Sequence, residues 1–339
     1  MSPITVRKAL ISSFGSISNI NVVSASLPDP PVDYVQVRVI YSGFSGADVA
    51  MRHGTYPLQK KPPLTPGYSL VGTVSSNGKR SSKFHPGDVV ACLFVYDAEA
   101  ELANFPEKYL VKVPSGLDLE QVTALVLDWN TAYGLVHHAG KLAKGRRVFV
   151  HGMSGAVGYG VMILSQLQGA TVYGTASERN HLALRELGVT PFTYTNKDWI
   201  IAMKDPGRAR VVFDPLGFES WDESWSILED KGRLVGYGGN LNILSGKPPR
   251  SVVGPILKLL ARGMVPFTPK KTTFYYISRD DKSFVPDLMT LFKMLKQGKI
   301  RVPIKAVYEL DDIQEAHWSW SKGTDMGSLL VKLSDESVI

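Results

Sequence analysis

The sequence has almost no cysteine, since Cys92 is the only one in 339 residues. A single thiol excludes an intrachain disulfide and every zinc site that needs several cysteines. The seven histidines show no H-x-x-x-H spacing, and the adjacent His137 and His138 would point in different directions on a helix. We therefore expect no bound metal. We also expect a reduced interior, in which Cys92 is a buried strand residue rather than a nucleophile.

Long apolar runs and a basic stripe are missing as well. No stretch approaches the roughly 18 apolar residues of a membrane-spanning helix, and the first residues lack the apolar core and cleavage site of a secretion signal. The formal net charge is +7, but the basic residues come in scattered pairs such as Lys60-Lys61. We expect a cytoplasmic globular protein that binds neither membrane nor nucleic acid. Part of its positive excess would serve an anionic cofactor.

A buried strand leads directly into a glycine-rich turn in residues 147–158, which read RVFVHGMSGAVG. Gly155 and Gly158 occupy the second and third places of the pattern G-x-G-x-x-G, while Met153 stands in the first and Gly152 precedes it. Helical periodicity and a second apolar strand follow within about thirty residues, as a βαβ unit requires. This context favours a pyrophosphate site over an ordinary βα turn without a ligand. The residues that would surround the phosphate are Ser154, Gly155, Ala156, Val157 and Gly158.

The pattern of elements predicts an α/β protein with two domains. Short strands separated by turn residues dominate residues 1–122, which predicts a β-rich domain. Residues 123–278 alternate strand and helix, which predicts a Rossmann-type doubly wound parallel sheet. We expect residues 279–339 to return to the first domain. The strands expected in these parts are residues 33–41, 68–74, 88–93, 210–214, 232–238, 272–277 and 329–333, and the clearest helices are residues 221–228, 255–261 and 285–296.

Four segments resemble a known family in the same order. Residues 42–57, SGFSGADVAMRHGTYP, are similar to the N-x-x-D-x-x-x-R-x-G-x-Y-P motif of quinone oxidoreductases, and the matches continue in residues 66–74, 112–117 and 150–158. The chain thus resembles the zinc-free branch of the medium-chain dehydrogenase/reductase superfamily, with quinone oxidoreductases, zeta-crystallin and enoyl reductases. The resemblance implies a GroES-like catalytic domain, an NADPH-binding Rossmann domain and a homodimer that pairs the edge strand at residues 272–277.

The zinc ligands of this superfamily's alcohol dehydrogenases have no counterpart here. Phe44-Ser45 stands where those enzymes need a cysteine, and Tyr68-Ser69 stands where they have a His-Glu pair. Without a Lewis acid, oxidation of a simple alcohol loses the usual stabilisation of its alkoxide. Reduction of a conjugated acceptor needs less help, because the resulting anion is delocalised.

The end of the second nucleotide strand indicates which cofactor is used. NAD-selective folds place an acid there, but in the family's register this position is Ala176. Ser177 and Arg179 follow and suit a 2′-phosphate, and Tyr194 aligns with a tyrosine that packs near the same phosphate in the resembling reductases. We therefore expect NADPH, whereas NAD would be favoured if Glu178 capped the strand instead. By the same resemblance, the residues along the nicotinamide half of the cofactor are Thr131, Asp214, Gly238 and Asn240.

The resemblance implies hydride transfer to a quinone or to the β-carbon of a small hydrophobic α,β-unsaturated carbonyl. Tyr56, in the G-x-Y motif, would donate the proton or would only line the acceptor site. Asp48 and Arg52, four residues apart, could form an ion pair that shapes this loop. The acceptor pocket would be formed by Ser45, Tyr68, Trp129 and Phe274.

Two other functions are compatible with the same residues. An enoyl-thioester reductase of fatty-acid or polyketide biosynthesis would need a basic entry surface, for which Lys60-Lys61 offers slight support. A non-catalytic NADPH-binding protein would bind the cofactor without consuming it.

Overall fold

The computed structural model describes residues 4–266, 268–322 and 325–336. Within these residues the chain forms two compact units. The first contains residues 4–130, 278–322 and 328–336, and the second contains residues 131–277 and 325–327. None of the helices in the described part of the chain is long and apolar enough to cross a membrane.

The strands of the described residues are, in chain order, β1 (Ile4–Ile11), β2 (Ile20–Leu27), β3 (Tyr34–Phe44), β4 (Ser69–Asn77), β5 (Val89–Leu93), β6 (Leu102–Pro106), β7 (Leu110–Lys112), β8 (Arg147–Val150), β9 (Thr171–Ala176), β10 (Thr190–Thr193), β11 (Ala209–Asp214), β12 (Leu228–Gly236), β13 (Lys271–Phe274), β14 (Ile304–Glu309) and β15 (Ser328–Lys332).

The α-helices are α1 (Gly46–His53), α2 (Leu119–Ala124), α3 (Asn130–Gly134), α4 (Ala156–Leu167), α5 (His181–Glu186), α6 (Asp198–Ala202), α7 (Glu219–Ser226), α8 (Leu241–Leu244), α9 (Val253–Gly263), α10 (Phe284–Lys296) and α11 (Ile313–Ser319). Single π-helical turns at Leu125–Trp129 and Leu135–Ala139 flank α3. Such turns often occur at functional sites.

A seven-stranded sheet forms the body of the first unit, with the strand order β14-β15-β3-β4-β5-β7 and with β6 also paired to β3. The eleven-residue β3 is rich in β-branched and aromatic residues, and nearly all of it is buried. Its partners β4, β6 and β15 all run antiparallel to it. Cys92 lies buried in β5, as expected, and burial raises the pKa of its thiol to about 12. A separate hairpin joins β1 to β2.

The second unit contains a six-stranded parallel sheet in the order β10-β9-β8-β11-β12-β13. The chain starts at β8, winds outward to β10, and then returns to wind outward again to β13. This order confirms the predicted doubly wound sheet, and it brings the carboxyl ends of all six strands to one edge. The core between sheet and helices is made by Phe149, Trp199, Met203, Ala209, Val212, Trp221, Ile227, Leu228, Leu234 and Leu259.

Several predicted boundaries in this unit are wrong, and two of them have a clear cause in the strand pairing. Leu228, assigned to a helix, is the first residue of β12, because it pairs with Ala209 ahead of an irregularity in the β11–β12 ladder. The edge strand β13 ends at Phe274, whereas residues 272–277 were expected to be extended. Lys271–Phe274 pair with β12, and the last hydrogen bond between the two runs from the Tyr275 amide to the Gly236 carbonyl (2.8 Å), so residues 276 and 277 lie beyond the ladder.

Candidate functional site

The glycine turn after β8 has the geometry of a phosphate cradle. Gly152 has φ +65°, a left-handed conformation that glycine adopts without strain. A Cβ atom on Gly158 would lie 2.2 Å from the Gly152 carbonyl oxygen, so only glycine permits this close approach of helix and turn. In the usual pattern the first glycine, at the position of Met153, makes the tight turn. In this chain Gly152, one residue earlier, makes it. The departure seen in the sequence is a shift of one residue.

Helix α4 begins at this turn without a capping side chain. Its N-cap is the exposed Gly155, and no side chain accepts a hydrogen bond from the first amides. Ser154, Ala156 and Val157 lie beside it, each only partly buried. Unpaired N–H groups and the positive end of the helix dipole attract an anion at such a helix start.

The ends of β9 and β10 bring together the residues expected at the far end of the cofactor. Ala176 is in register with Thr193, so Ser177 and Tyr194 each follow one of two adjacent parallel strands. The Tyr194 side chain is 57% exposed. Arg179 is exposed too, and it forms no salt bridge with any residue that the structure describes. A hydroxyl, a phenol and an unpaired guanidinium therefore share one edge of the sheet.

The ends of β11 and β12 hold the residues expected near the nicotinamide. Asp214 is fully buried, and its carboxylate accepts hydrogen bonds from Ser220 (2.8 Å), Ser224 (2.7 Å) and the amide of Leu216 (2.8 Å). The structure thus uses Asp214 to hold the loop that follows β11, and it leaves no side-chain surface for a ligand. No local pattern in the sequence predicts its serine partners.

Gly238 and Asn240 lie close to the same loop. A Cβ atom on Gly238 would lie 2.5 Å from the carbonyl oxygen of Pro215, and the Asn240 amide donates a hydrogen bond to that oxygen (3.2 Å). The close approach of the Pro215 carbonyl therefore leaves room only for glycine at position 238. Thr131, in α3, is 8% exposed.

In the first unit, Tyr56 and Tyr68 form a pair. Their ring centroids are 5.9 Å apart at an interplanar angle of 62°. Tyr56 is partly buried and Tyr68 is 9% exposed. Burial, followed by the neighbouring Tyr68, raises the pKa of Tyr56. The Tyr56 phenol therefore stays protonated at neutral pH and can donate a hydrogen bond or a proton.

Arg279, which was not singled out in the sequence, modifies this pair. Its guanidinium lies 4.4 Å from the Phe94 ring centroid and 4.3 Å from that of Tyr109. Burial raises the pKa of Tyr68, and this rise is opposed by the interaction with Tyr56 and by the positive charge of Arg279. The surroundings therefore stabilise the phenolate form of Tyr68 more than that of Tyr56. No local pattern marks Arg279, because it is distant in sequence from both tyrosines.

A pair of buried acids was also missed. Asp48 accepts hydrogen bonds from the Ser45 amide (2.9 Å) and from the Gly67 amide (3.1 Å), and burial raises its pKa to about 6. Glu99 is fully buried, and neither of its carboxyl oxygens has a hydrogen-bond partner among the described residues. Its amide donates to the carbonyl of Pro66 (3.2 Å), so both acids contact the same Pro66-Gly67 turn. Burial and then the charge of Asp48 raise the pKa of Glu99.

The remaining predicted pocket residues have other neighbours. The Ser45 hydroxyl donates to Asp48 Oδ2 (3.1 Å) and accepts from the Ala47 amide (3.1 Å), so it caps α1. Trp129 is 1% exposed in the first unit. Phe274 meets Trp221 edge-on at 6.1 Å and packs against the core of the second unit.

The predicted ion pair between Asp48 and Arg52 is wrong. While Asp48 bonds to Ser45 and Gly67, Arg52 donates to His317 Nδ1 (3.3 Å) and to the Gly15 carbonyl. Residues four apart in a helix lie on the same face, which is why the pair was expected. The capping box instead directs the Asp48 side chain back to Ser45 at the helix start. Among the residues that the structure describes, no three His, Cys, Asp or Glu side chains cluster as metal ligands.

Comparison with known proteins agrees with this architecture. Residues 187–331 match the zinc-binding dehydrogenase family, and residues 32–115 match the alcohol dehydrogenase GroES-like domain. The human synaptic vesicle membrane protein VAT-1 homolog is 27% identical over 340 residues, covering 96% of this chain and 86% of that protein. A quinone oxidoreductase of Pseudomonas aeruginosa is 27% identical over 317 residues, covering 89% and 92%.

A solved structure has the same fold. The crystal structure of Escherichia coli quinone oxidoreductase complexed with NADPH superposes with a TM-score of 0.82 at 21% identity, covering 96% of this chain and 99% of that one. The doubly wound sheet, the glycine cradle and these matches agree over nearly the whole chain. The chain thus contains the GroES-like and dehydrogenase domains of the medium-chain dehydrogenase/reductase superfamily, and over most of its length it is similar to oxidoreductases of the quinone oxidoreductase branch.

Proposed function

We propose that the protein is an NADPH-dependent reductase that transfers hydride to a quinone or to the C=C bond of a small hydrophobic α,β-unsaturated carbonyl. The observation that carries the proposal is the cradle formed by Gly152, Gly158 and the uncapped start of α4. A dinucleotide fits this cradle, because a pyrophosphate needs bare amides and a backbone that it can approach closely. When bound, NADPH supplies the hydride.

Residues at the sheet edge would hold the adenosine end of the cofactor. Ser177 and Arg179 offer a hydroxyl and an unpaired guanidinium for the 2′-phosphate, and Tyr194 offers an exposed ring. The side chain at the end of β9 is Ala176, which offers no carboxylate to the ribose hydroxyls. The NADPH complex of the Escherichia coli relative supports this choice.

In the first unit, Tyr56 would hold the proton that the reduced acceptor takes up. Its raised pKa keeps the proton on the phenolic oxygen until a strongly basic enolate is present. An enolate needs that proton at carbon, whereas a hydroquinonate is stable enough to take its proton from water. Tyr68 is the other candidate donor, since Arg279 stabilises the charge that it would be left with.

The direct test is to measure oxidation of NADPH and of NADH with a panel of quinones, enones and enoyl thioesters. We expect NADPH to be consumed with quinones or small enones. A preference for thioesters would instead indicate an enoyl-thioester reductase. Tight NADPH binding without turnover on any acceptor would contradict the proposal and would leave a cofactor-binding role.

Replacing Arg179 with alanine tests the choice of cofactor. We expect Arg179→Ala to weaken NADPH binding by about 2 kcal/mol, the scale of a hydrogen bond to a charged group. NADH lacks the 2′-phosphate, so its affinity should hardly change. Fluorescence titration with both cofactors gives the two dissociation constants. Arg185→Ala, on the neighbouring α5, is the matched control, and equal losses for both cofactors in Arg179→Ala would refute the contact.

We also propose a homodimer that pairs the β13 strands across a two-fold axis. β13 is an edge strand, and the adjacent α9 exposes Val253, Leu257 and Leu260 at helical spacing, followed by the exposed Met264 at its C-cap. Light scattering at micromolar concentration should give twice the chain mass of 37.2 kDa. Leu257→Lys should shift the mass toward that of the monomer, while Leu182→Lys, at another exposed leucine, should not. A monomeric wild-type protein would refute the dimer.

A further inference from the structure

A chain of buried side chains runs beneath the phosphate cradle in the second unit. His151 follows β8, Thr175 lies in β9 and Asp214 ends β11, while Ser224 belongs to α7. These four residues are at most 2% exposed. They therefore connect three parallel strands and a helix just below the turn that starts at Gly152.

The directions of the hydrogen bonds follow from the number of hydrogens available. The Ser224 hydroxyl has one hydrogen, which it donates to Asp214 Oδ2 (2.7 Å). Ser224 Oγ lies 3.0 Å from His151 Nε2, so it must accept there, and Nε2 carries the proton. Burial lowers the pKa of His151 more than the charge of Asp214 opposes it, so the ring is neutral. Its Nδ1 is therefore an acceptor.

The other half of the chain reaches the turn itself. His151 Nδ1 lies 3.2 Å from Thr175 Oγ1, so the Thr175 hydroxyl donates its hydrogen to the ring. The same oxygen accepts the amide hydrogen of Gly152 (3.2 Å). An unbroken sequence of hydrogen bonds thus joins the Gly152 amide to the carboxylate of Asp214. Each hydroxyl in it both donates and accepts.

The surroundings of the imidazole hold it in this orientation. The ring meets Phe149 at 5.1 Å and Trp199 at 5.0 Å, both nearly edge-on. The charges that act on it are those of Asp214, Glu223 and Lys197, and the carboxylates oppose the lysine. A packed, neutral ring with one tautomer is a rigid connector rather than a titrating group.

We propose that His151 and Thr175 are positioning residues that fix the Gly152 turn in the shape that accepts the pyrophosphate of a dinucleotide. The inference rests on the proposed cofactor-binding function. The chain acts through backbone placement, since neither side chain reaches the exposed face of the cradle.

The test compares two substitutions at Thr175 that separate its hydroxyl from its volume. Thr175→Val keeps the shape and removes both hydrogen bonds, so we expect the NADPH dissociation constant to rise about tenfold. Thr175→Ser loses a methyl group but keeps the hydroxyl, and it should rescue binding to within about twofold of wild type. Ser165→Ala is the control, because that buried hydroxyl in α4 has no partner among the described residues. Equal weakening in the valine and serine variants, or wild-type affinity in Thr175→Val, would overturn the proposal.

Two further readouts do not depend on cofactor binding. Spectra of ¹⁵N-histidine protein, with His151→Gln to assign the signal, should show protonated Nε2 and unprotonated Nδ1. Hydrogen exchange at the Gly152 amide should be slow in wild type and Thr175→Ser and faster in Thr175→Val. If wild type binds neither NADPH nor NADH, the proposed function fails and these readouts decide the role of the chain. The opposite tautomer, or unchanged exchange at Gly152, would refute it.

Discussion

Tyr56→Phe should lower turnover with enones about 100-fold, the usual scale for a lost acid-base group, while NADPH affinity is unchanged. The substitution removes one oxygen atom and leaves the ring against Tyr68 at 5.9 Å. Quinones should lose much less, because a hydroquinonate takes its proton from water. Steady-state rates with one enone and one quinone, together with cofactor titrations, measure the contrast.

The contrast between the two acceptor classes is more informative than either rate. Tyr68→Phe is the companion variant, since Arg279 makes Tyr68 the better supported phenolate. If Tyr56→Phe reduces enones at the wild-type rate and Tyr68→Phe does not, the donor is Tyr68. If both variants reduce enones at the wild-type rate, neither phenol is the acid, and the proton comes from water.

Glu99→Gln should stabilise the protein at pH 8 by about 3 kcal/mol, because glutamine places no charge at a buried position where the carboxylate has no hydrogen-bond partner among the described residues. Burial and the charge of Asp48 raise the pKa of Glu99 in the folded state above its ordinary value of 4.5. The contribution of Glu99 to stability is therefore fully present below pH 4.5 and is lost as the pH rises through the folded-state pKa. The advantage of glutamine should grow with pH and nearly vanish near pH 4.5.

Urea unfolding at several pH values measures this difference. Burial raises the pKa of Asp128 to about 7, but Asp128 titrates in both proteins and cancels in the comparison. The charge of Asp48 acts on Glu99, so the measured difference includes the loss of the repulsion between these two carboxylates. Glu101→Gln is the matched control, because Glu101 is partly exposed and lies 3.6 Å from Arg7. If Glu99→Gln is less stable than wild type at pH 8, the buried carboxyl has a partner that holds its charge.

The fold was predictable to the extent that local periodicity determines it. The predicted strands at residues 210–214 and 329–333 lie within a residue of β11 and β15, because short apolar runs can be recognised without knowledge of the partner strand. The predicted strand at residues 272–277 extends too far, because the end of β13 at Phe274 is determined by its pairing with β12 and not by its own sequence. The hairpin of β1 and β2 was missed, because its apolar positions alternate only weakly.

The candidate site was predictable only where its residues lie close together in one segment of the sequence. The glycine turn is local, and its residues meet as expected even though Met153 departs from the usual pattern. The Asp48–Arg52 spacing was misleading, because the hydrogen bonds to Ser45 and Gly67 determine the position of Asp48. Glu99 and Arg279 were missed, because they reach the two tyrosines and Asp48 only through tertiary structure.

The pairing of β15 with β3 has a consequence during synthesis. β6 covers this edge of β3 at Tyr34–Arg38, but Leu329 lies opposite Phe44, so the ribosome must add every residue between 44 and 329 before Tyr41–Phe44 are covered. At ordinary elongation rates of about 5–20 residues per second, the edge stays open on the order of tens of seconds. A bare apolar strand edge is a template for pairing with other chains. Prematurely terminated chains that lack Ser328–Lys332 should therefore be the aggregating species in cells, and chaperones should bind the nascent chain over this interval.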